Sequence, residues 1–129
     1  MSVDHIGLYV PGAIYKEMVD WYLAALAPIG FQKFVEPNEY ACGLGVHRPD
    51  FWIAQHAAEK SSIPLHVGFK AEDRKAVDEF HKAALAAGAK DNGPPGLRPQ
   101  YHPNYYGAFV IDPAGNNVEV VCHKPEVAE

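Results

Sequence analysis

Two stretches of the chain begin alike. His5-Ile6-Gly7-Leu8 and His66-Val67-Gly68-Phe69 share the order histidine, apolar residue, glycine, apolar residue. A helical pattern follows each. Ile14, Met18, Trp21, Tyr22, Ala25 and Ile29 recur at helical spacing after the first, and Val77, Phe80, Ala84 and Ala87 after the second. Gly30 and Gly88 then fall where each helix must stop and the chain turn toward a strand. Further on, Asp50–His56 can be laid on Asn117–His123, which sets Trp52 against Glu119. Three similar blocks in the same order make an internal duplication, and a repeat constrains the fold more than any single motif does.

Each half reads as a strand, a helix and three strands. Module one spans about residues 1–60 and module two about 63–124 of one domain, 1–129. The strands fall at Val3–Val10, Phe31–Glu36, Tyr40–Val46 and Asp50–His56 in the first half. In the second they fall at Leu65–Lys70, Ala89–Asn92, Tyr106–Ile111 and Asn117–Cys122. Asp112-Pro113-Ala114-Gly115-Asn116 is a strong turn signal before the last strand, and Ser61–Pro64 joins the halves. Neither half is long enough to be comfortable alone. The expectation is an α+β fold, two tandem βαβββ modules whose sheets lie side by side as one curved mixed surface with the helices outside.

Composition narrows the function. A net charge of −5 without a basic stripe argues against nucleic acid as a partner. No run approaches the roughly 20 apolar residues that span a bilayer. The N-terminus carries neither a basic nor an apolar leader region, so the cytoplasm is the expected location. Two cysteines, Cys42 and Cys122, are too few for a disulfide framework. A small molecule is the expected partner.

The paired βαβββ layout, the histidine opening each module and the closing Asp112-Pro113-x-Gly115-Asn116-x-x-Glu119 run resemble the vicinal oxygen chelate superfamily of glyoxalases, bleomycin-resistance proteins and extradiol dioxygenases. The resemblance covers nearly the whole chain. It implies a homodimer and a divalent metal (Fe, Mn, Zn or Ni) held by His5, His66 and Glu119, with Trp52 standing where a fourth ligand would be. Trp offers only an indole N–H and cannot bind a metal. The His-His-Glu set looks like that of extradiol dioxygenases and fosfomycin-resistance thiol transferases. His102, Asp112-Pro113, Gly115 and Glu119 match the spacing of the extradiol signature, while Ala108 and Phe109 replace its apolar-Tyr pair.

Strand parity agrees with that ligand set. Residues two apart share a face. His5 and Gly7 therefore point away from Ile6, Leu8 and Val10, His66 away from Val67 and Phe69, and Glu119 away from Val118 and Val120. A carboxylate in so apolar a run needs water or a cation, because an unpaired buried charge is very costly. Two imidazoles and a carboxylate leave coordination positions open for substrate.

Asn92–Tyr106 reads as a long connection rich in proline, expected to form a wall or lid over the pocket. Its Arg98 would line the pocket with Trp52 and Phe109. Its His102 is the general-base candidate, and Tyr105 and Tyr106 join Glu119 as further catalytic candidates. The remaining histidines, among them His81 and His123, are assigned to the surface. Two functions compete. One is a metal-dependent lyase, transferase or dioxygenase acting on a substrate that chelates through adjacent oxygens. The other is a metal-free binding protein of the bleomycin-resistance type, in which the histidines would be hydrogen-bonded to Glu119.

Overall fold

The computed structural model describes residues 3–57 and 63–126. Its elements run β1 (Ile6–Pro11), α1 (Tyr15–Leu26), β2 (Gln32–Asn38), β3 (Ala41–Gly45) and β4 (Phe51–His56), then β5 (His66–Lys70), α2 (Arg74–Ala86), β6 (Lys90–Leu97), β7 (Tyr106–Ile111) and β8 (Asn117–Cys122). The second module repeats the first element for element. The start of the expected 61–64 connection lies outside the described residues. Among the described residues, no helix is long and apolar enough to cross a membrane.

The sheets share one topology. Module one orders its strands β1-β4-β3-β2 and module two β5-β8-β7-β6. In each, the first and last strands pair in parallel, with Gly7 opposite Trp52 and Gly68 opposite Glu119. The alignment of Trp52 with Glu119 is thus repeated in the register itself.

Alternation fixes which face is buried. Leu8, Val10, Phe51 and Ile53 in one sheet, and Val67, Phe69, Val118 and Val120 in the other, pack into a single core with the helices. Met18, Trp21, Tyr22 and Ala25 of α1, and Val77, Phe80 and Ala84 of α2, supply the other layer. Phe69 joins the modules, its ring lying 5.1 Å from Phe51 and 5.3 Å from Phe31. Trp21 Nε1 donates to the Ala84 carbonyl of α2 across 3.3 Å. Asp73 caps α2, its Oδ1 accepting from the Ala76 amide at 2.8 Å.

A buried carboxylate ties α1 to the turn between β7 and β8. The Tyr22 hydroxyl donates to Asp112 Oδ2 at 2.6 Å, joined there by Asn116 Nδ2 at 2.8 Å. Asp112 Oδ1 accepts from the Ala114 and Asn116 amides, both at 2.9 Å. Every acceptor position facing the protein is used, which is what a carboxylate so deeply buried requires.

The largest departures from the expected boundaries are at β1 and β6. β1 starts at Ile6, so His5 precedes the strand. β6 runs through Gly93-Pro94-Pro95-Gly96 to Leu97, because two register shifts against β7 absorb the residues that cannot join a regular ladder. The expected long loop therefore shrinks to residues 98–105, closed by the Arg98 amide donating to the Tyr105 carbonyl at 2.7 Å.

Candidate active site

Glu119 organises the site. It stands on the face of β8 opposite Val118 and Val120 and is only 4% exposed. Glycine flanks it on both neighbouring strands. A Cβ at Gly68 would lie 3.6 Å from Glu119 Oε1, and one at Gly107 3.6 Å from Oε2, so the carboxylate lies over both glycines. His66 Nε2 lies 2.8 Å from Oε1. The Tyr105 hydroxyl donates to Oε2. A carboxylate only accepts, so His66 Nε2 carries the proton between them and Nδ1 is left as the basic nitrogen. Burial, reinforced by the bond to Glu119, raises the Tyr105 phenol well above its usual value, so it remains a donor at neutral pH.

Phe109, opposite Glu119 on β7, lies beside this unit with its ring centroid 6.3 Å from that of His66. The Arg98 guanidinium carbon sits 5.5 Å over the same ring. Arg98 is anchored through Nη1 to the Gly96 carbonyl at 2.8 Å and through Nη2 to the Pro94 carbonyl at 2.7 Å.

Other expected site residues are placed differently. His5 lies on the expected side of module one and lines a surface there with Gly7, Tyr9 and Trp52. It also borders the groove between the modules, across from Gly68 and Lys70. Its Nδ1 is 2.7 Å from Asp4 Oδ1, a carboxylate further held by Arg48 Nη2 at 2.9 Å. Among the described residues, no three His, Cys, Asp or Glu side chains are grouped to hold a metal. His5 thus does not converge with His66 and Glu119 within one chain. His5 precedes β1 and is paired with Asp4, while His66 is paired with Glu119 on the other sheet.

Trp52 is half-buried on the His5 side, with Nε1 donating to the Pro49 carbonyl at 3.1 Å, while Phe51 faces the helices. The assumed strand register holds there, but Trp52 accompanies His5 rather than Glu119. Tyr106 turns the other way, toward α2. Its hydroxyl donates to Asp78 Oδ1 at 2.6 Å, and Arg74 lies 5.1 Å over its ring. It shares strand parity with the buried Ala108 and Val110, so it stands on the helix side and not beside Glu119.

His102 has an unforeseen partner. Its Nε2 lies 2.8 Å from His123 Nδ1, the two rings stacked 5.1 Å apart. The Asn104 amide donates to His102 Nδ1 at 3.2 Å, so in the neutral ring Nε2 is the donor and His123 accepts. Tyr105 meets both rings edge-on, at 5.4 and 5.3 Å, and so separates the pair from Glu119. His123 could have been found in the sequence, where it is the repeat counterpart of His56. His81, also assigned to the surface, lies 2.9 Å from Asp91 Oδ1.

The donor set admits a metal in part. Ligands at right angles on bonds of about 2.0–2.2 Å stand about 3 Å apart. The 2.8 Å between His66 Nε2 and Glu119 Oε1 is close to that spacing, so these two could share one cation, with a further protein donor coming from elsewhere.

No family model and no curated protein matches the chain. Solved structures do. A glyoxalase/bleomycin resistance protein from Albidiferax ferrireducens superposes with a TM-score of 0.73 at 22% identity, over 95% of this chain and 98% of that one. A glyoxalase/bleomycin resistance protein/dioxygenase family enzyme from Burkholderia phytofirmans gives 0.72 at 21%, over 96% and 100%. A lactoylglutathione lyase from Agrobacterium tumefaciens gives 0.68 at 18%, over 94% and 92%. Over nearly its full length, the chain has the fold of these glyoxalase/bleomycin resistance/dioxygenase proteins.

Proposed function

We propose that the chain is a cytoplasmic, metal-dependent enzyme that acts, as a homodimer, on a small molecule chelating through adjacent oxygens. The observation that carries this reading is the His66–Glu119 pair, a nearly buried carboxylate and an accessible imidazole at ligand spacing on one sheet face. His66 and Glu119 would hold the cation, and His5, 61% exposed on the other module, would reach it from a second copy. A bound divalent cation supplies a Lewis acid that polarises a substrate oxygen. Tyr105 holds the Glu119 carboxylate in place through its hydroxyl. Phe109 and Arg98 form the adjoining wall. His102 is the general-base candidate, and to accept a proton from substrate its Nδ1 would have to release the Asn104 amide.

One observation favours a second reading, a metal-free binding protein. Both Glu119 oxygens already have donors within the chain, His66 and Tyr105. Elemental analysis of protein purified without chelators separates the two. The enzyme reading expects a bound divalent metal, lost in Glu119→Ala and His66→Ala but kept in His102→Ala. Mixing the His5→Ala and Glu119→Ala proteins, each metal-free alone, should restore about a quarter of the sites if His5 comes from a partner subunit. Wild-type protein without metal that still binds its ligand would select the second reading.

A further inference from the structure

We infer that Arg98 is an oxyanion-recognition residue, and that the natural ligand carries a carboxylate beside the part that meets His66 and Glu119. This inference rests on the proposed substrate site and names the class of molecule that occupies it.

Three observations support it. First, the Arg98 guanidinium is half-buried, yet among the described residues it forms no ion pair. Its two hydrogen bonds go to neutral carbonyls, of Gly96 and Pro94. Arginine carries five donors in a fixed fork, so three N–H groups and the whole charge are left for a ligand. Second, the group is held in position. A Cβ at Gly93 would sit 3.2 Å from Nη2 and 3.1 Å from Phe109 Cδ1, and one at Gly96 would sit 3.2 Å from Nη1. Glycine at both positions lets the guanidinium lie close against the β6 backbone, and a Cβ at either would shift it by a few tenths of an ångström. Third, Arg98 is next to the chemistry. It shares the Phe109 ring with His66.

A ligand seated beside Phe109 would thus meet a carboxylate-matching fork on one side and the His66–Glu119 unit on the other. The Glu119 charge does not exclude an anion, because His66 and Tyr105 already donate to both of its oxygens. A planar fork pairs with a planar carboxylate through two parallel bonds, and less well with a tetrahedral sulfonate.

The test is calorimetric titration of the full chain with three probes: catechol, 3,4-dihydroxybenzoate and 3,4-dihydroxybenzenesulfonate. Wild-type protein should bind the carboxylate about 10- to 100-fold more tightly than catechol, the worth of a charge-assisted contact, with the sulfonate between them. Arg98→Gln should bring the carboxylate-to-catechol ratio to about one. Arg98→Lys should keep only part of it, since a point charge lacks the fork. No preference in the wild type, or an unchanged ratio in Arg98→Gln, overturns the inference. Should Arg98→Gln fail to fold, Arg98→Lys decides, and a ratio as high as the wild type's overturns fork recognition. Repeating the titration with chelator separates this inference from the proposed function. If the metal reading holds, removing metal weakens all three probes and leaves their ratio. If binding is indifferent to chelator while the Arg98-dependent ratio persists, the metal reading falls and the Arg98 assignment stands.

Discussion

Replacing Tyr22 with Phe removes one oxygen from the interior and leaves the ring where it was. That oxygen donates to Asp112 Oδ2 at 2.6 Å, between two residues that are 0% and 4% exposed. Burial, followed by the neighbouring Asp112 charge, keeps the phenol's pKa well above its usual value, so the proton stays on Tyr22. A hydrogen bond to a charged acceptor contributes about 1.5–3 kcal/mol. Asp112 keeps its three other donors, so we place the loss near the middle, at about 2 kcal/mol. With an unfolding entropy of about 2.1 cal/mol/K per residue, a 129-residue chain should melt roughly 7 °C lower. Urea denaturation followed by far-ultraviolet dichroism gives the free energy directly, and calorimetry gives Tm. A shift below about 2 °C would refute the assigned strength of this bond. So would a double-mutant cycle with Asp112→Asn showing no coupling, because the cost must pass through that carboxylate.

Further outcomes follow from the same structure. Asp73→Ala should cost about 1 kcal/mol in urea denaturation by uncapping α2. Gly45→Ala should destabilise by about 2 kcal/mol or more, since its Cβ would lie 1.8 Å from the Arg48 carbonyl oxygen. Alkaline titration followed at 295 nm should find Tyr15, Tyr22, Tyr105 and Tyr106 still protonated in folded protein at pH 11, with all seven tyrosines ionising once urea unfolds it. Tyr106 is the mildest of these, pushed up to about 12 by burial and Asp78. A phenol whose folded value is raised contributes stability that is present below its unfolded value of about 10 and is lost as pH rises through its folded value. The protein should therefore lose stability between pH 10 and 12, and flat stability across that window would contradict the assignment.

The modules and their strand faces were legible because alternation in β7 and β8 leaves no second register that buries Val110, Val118 and Val120. Glu119 and His66 were legible on the same ground. What escaped depended on contacts distant in sequence. Nothing local in Asn92–Leu97 announces a strand, since Gly93, Pro94, Pro95 and Gly96 join β6 only through bulges against β7. Tyr105 and Tyr106 are adjacent and chemically identical, yet one reaches Glu119 and the other Asp78. Strand parity does separate them, since Tyr105 alternates with Gly107 and Phe109 on the Glu119 face and Tyr106 with Ala108 and Val110 on the helix face. Proximity of His5 to the other ligands was inferred from a repeat, but a repeat fixes equivalence within each sheet and not the distance between sheets.

The outer margins of the two sheets limit how copies of this chain can associate. β2 pairs only with β3 and β6 only with β7. An unpaired strand edge normally invites another chain to add a strand, the route to fibres. Here β2 contains Pro37, Lys33 and Glu36, and its pairing with β3 slips twice. β6 carries two consecutive prolines between glycines and is likewise doubly bulged. Proline offers no amide hydrogen to an incoming strand, and bulges twist the edge out of line. Open-ended growth along the hydrogen-bonding direction is therefore blocked at both margins. Any association would then have to use the broad faces or the inner edges, where a two-fold contact would close on itself.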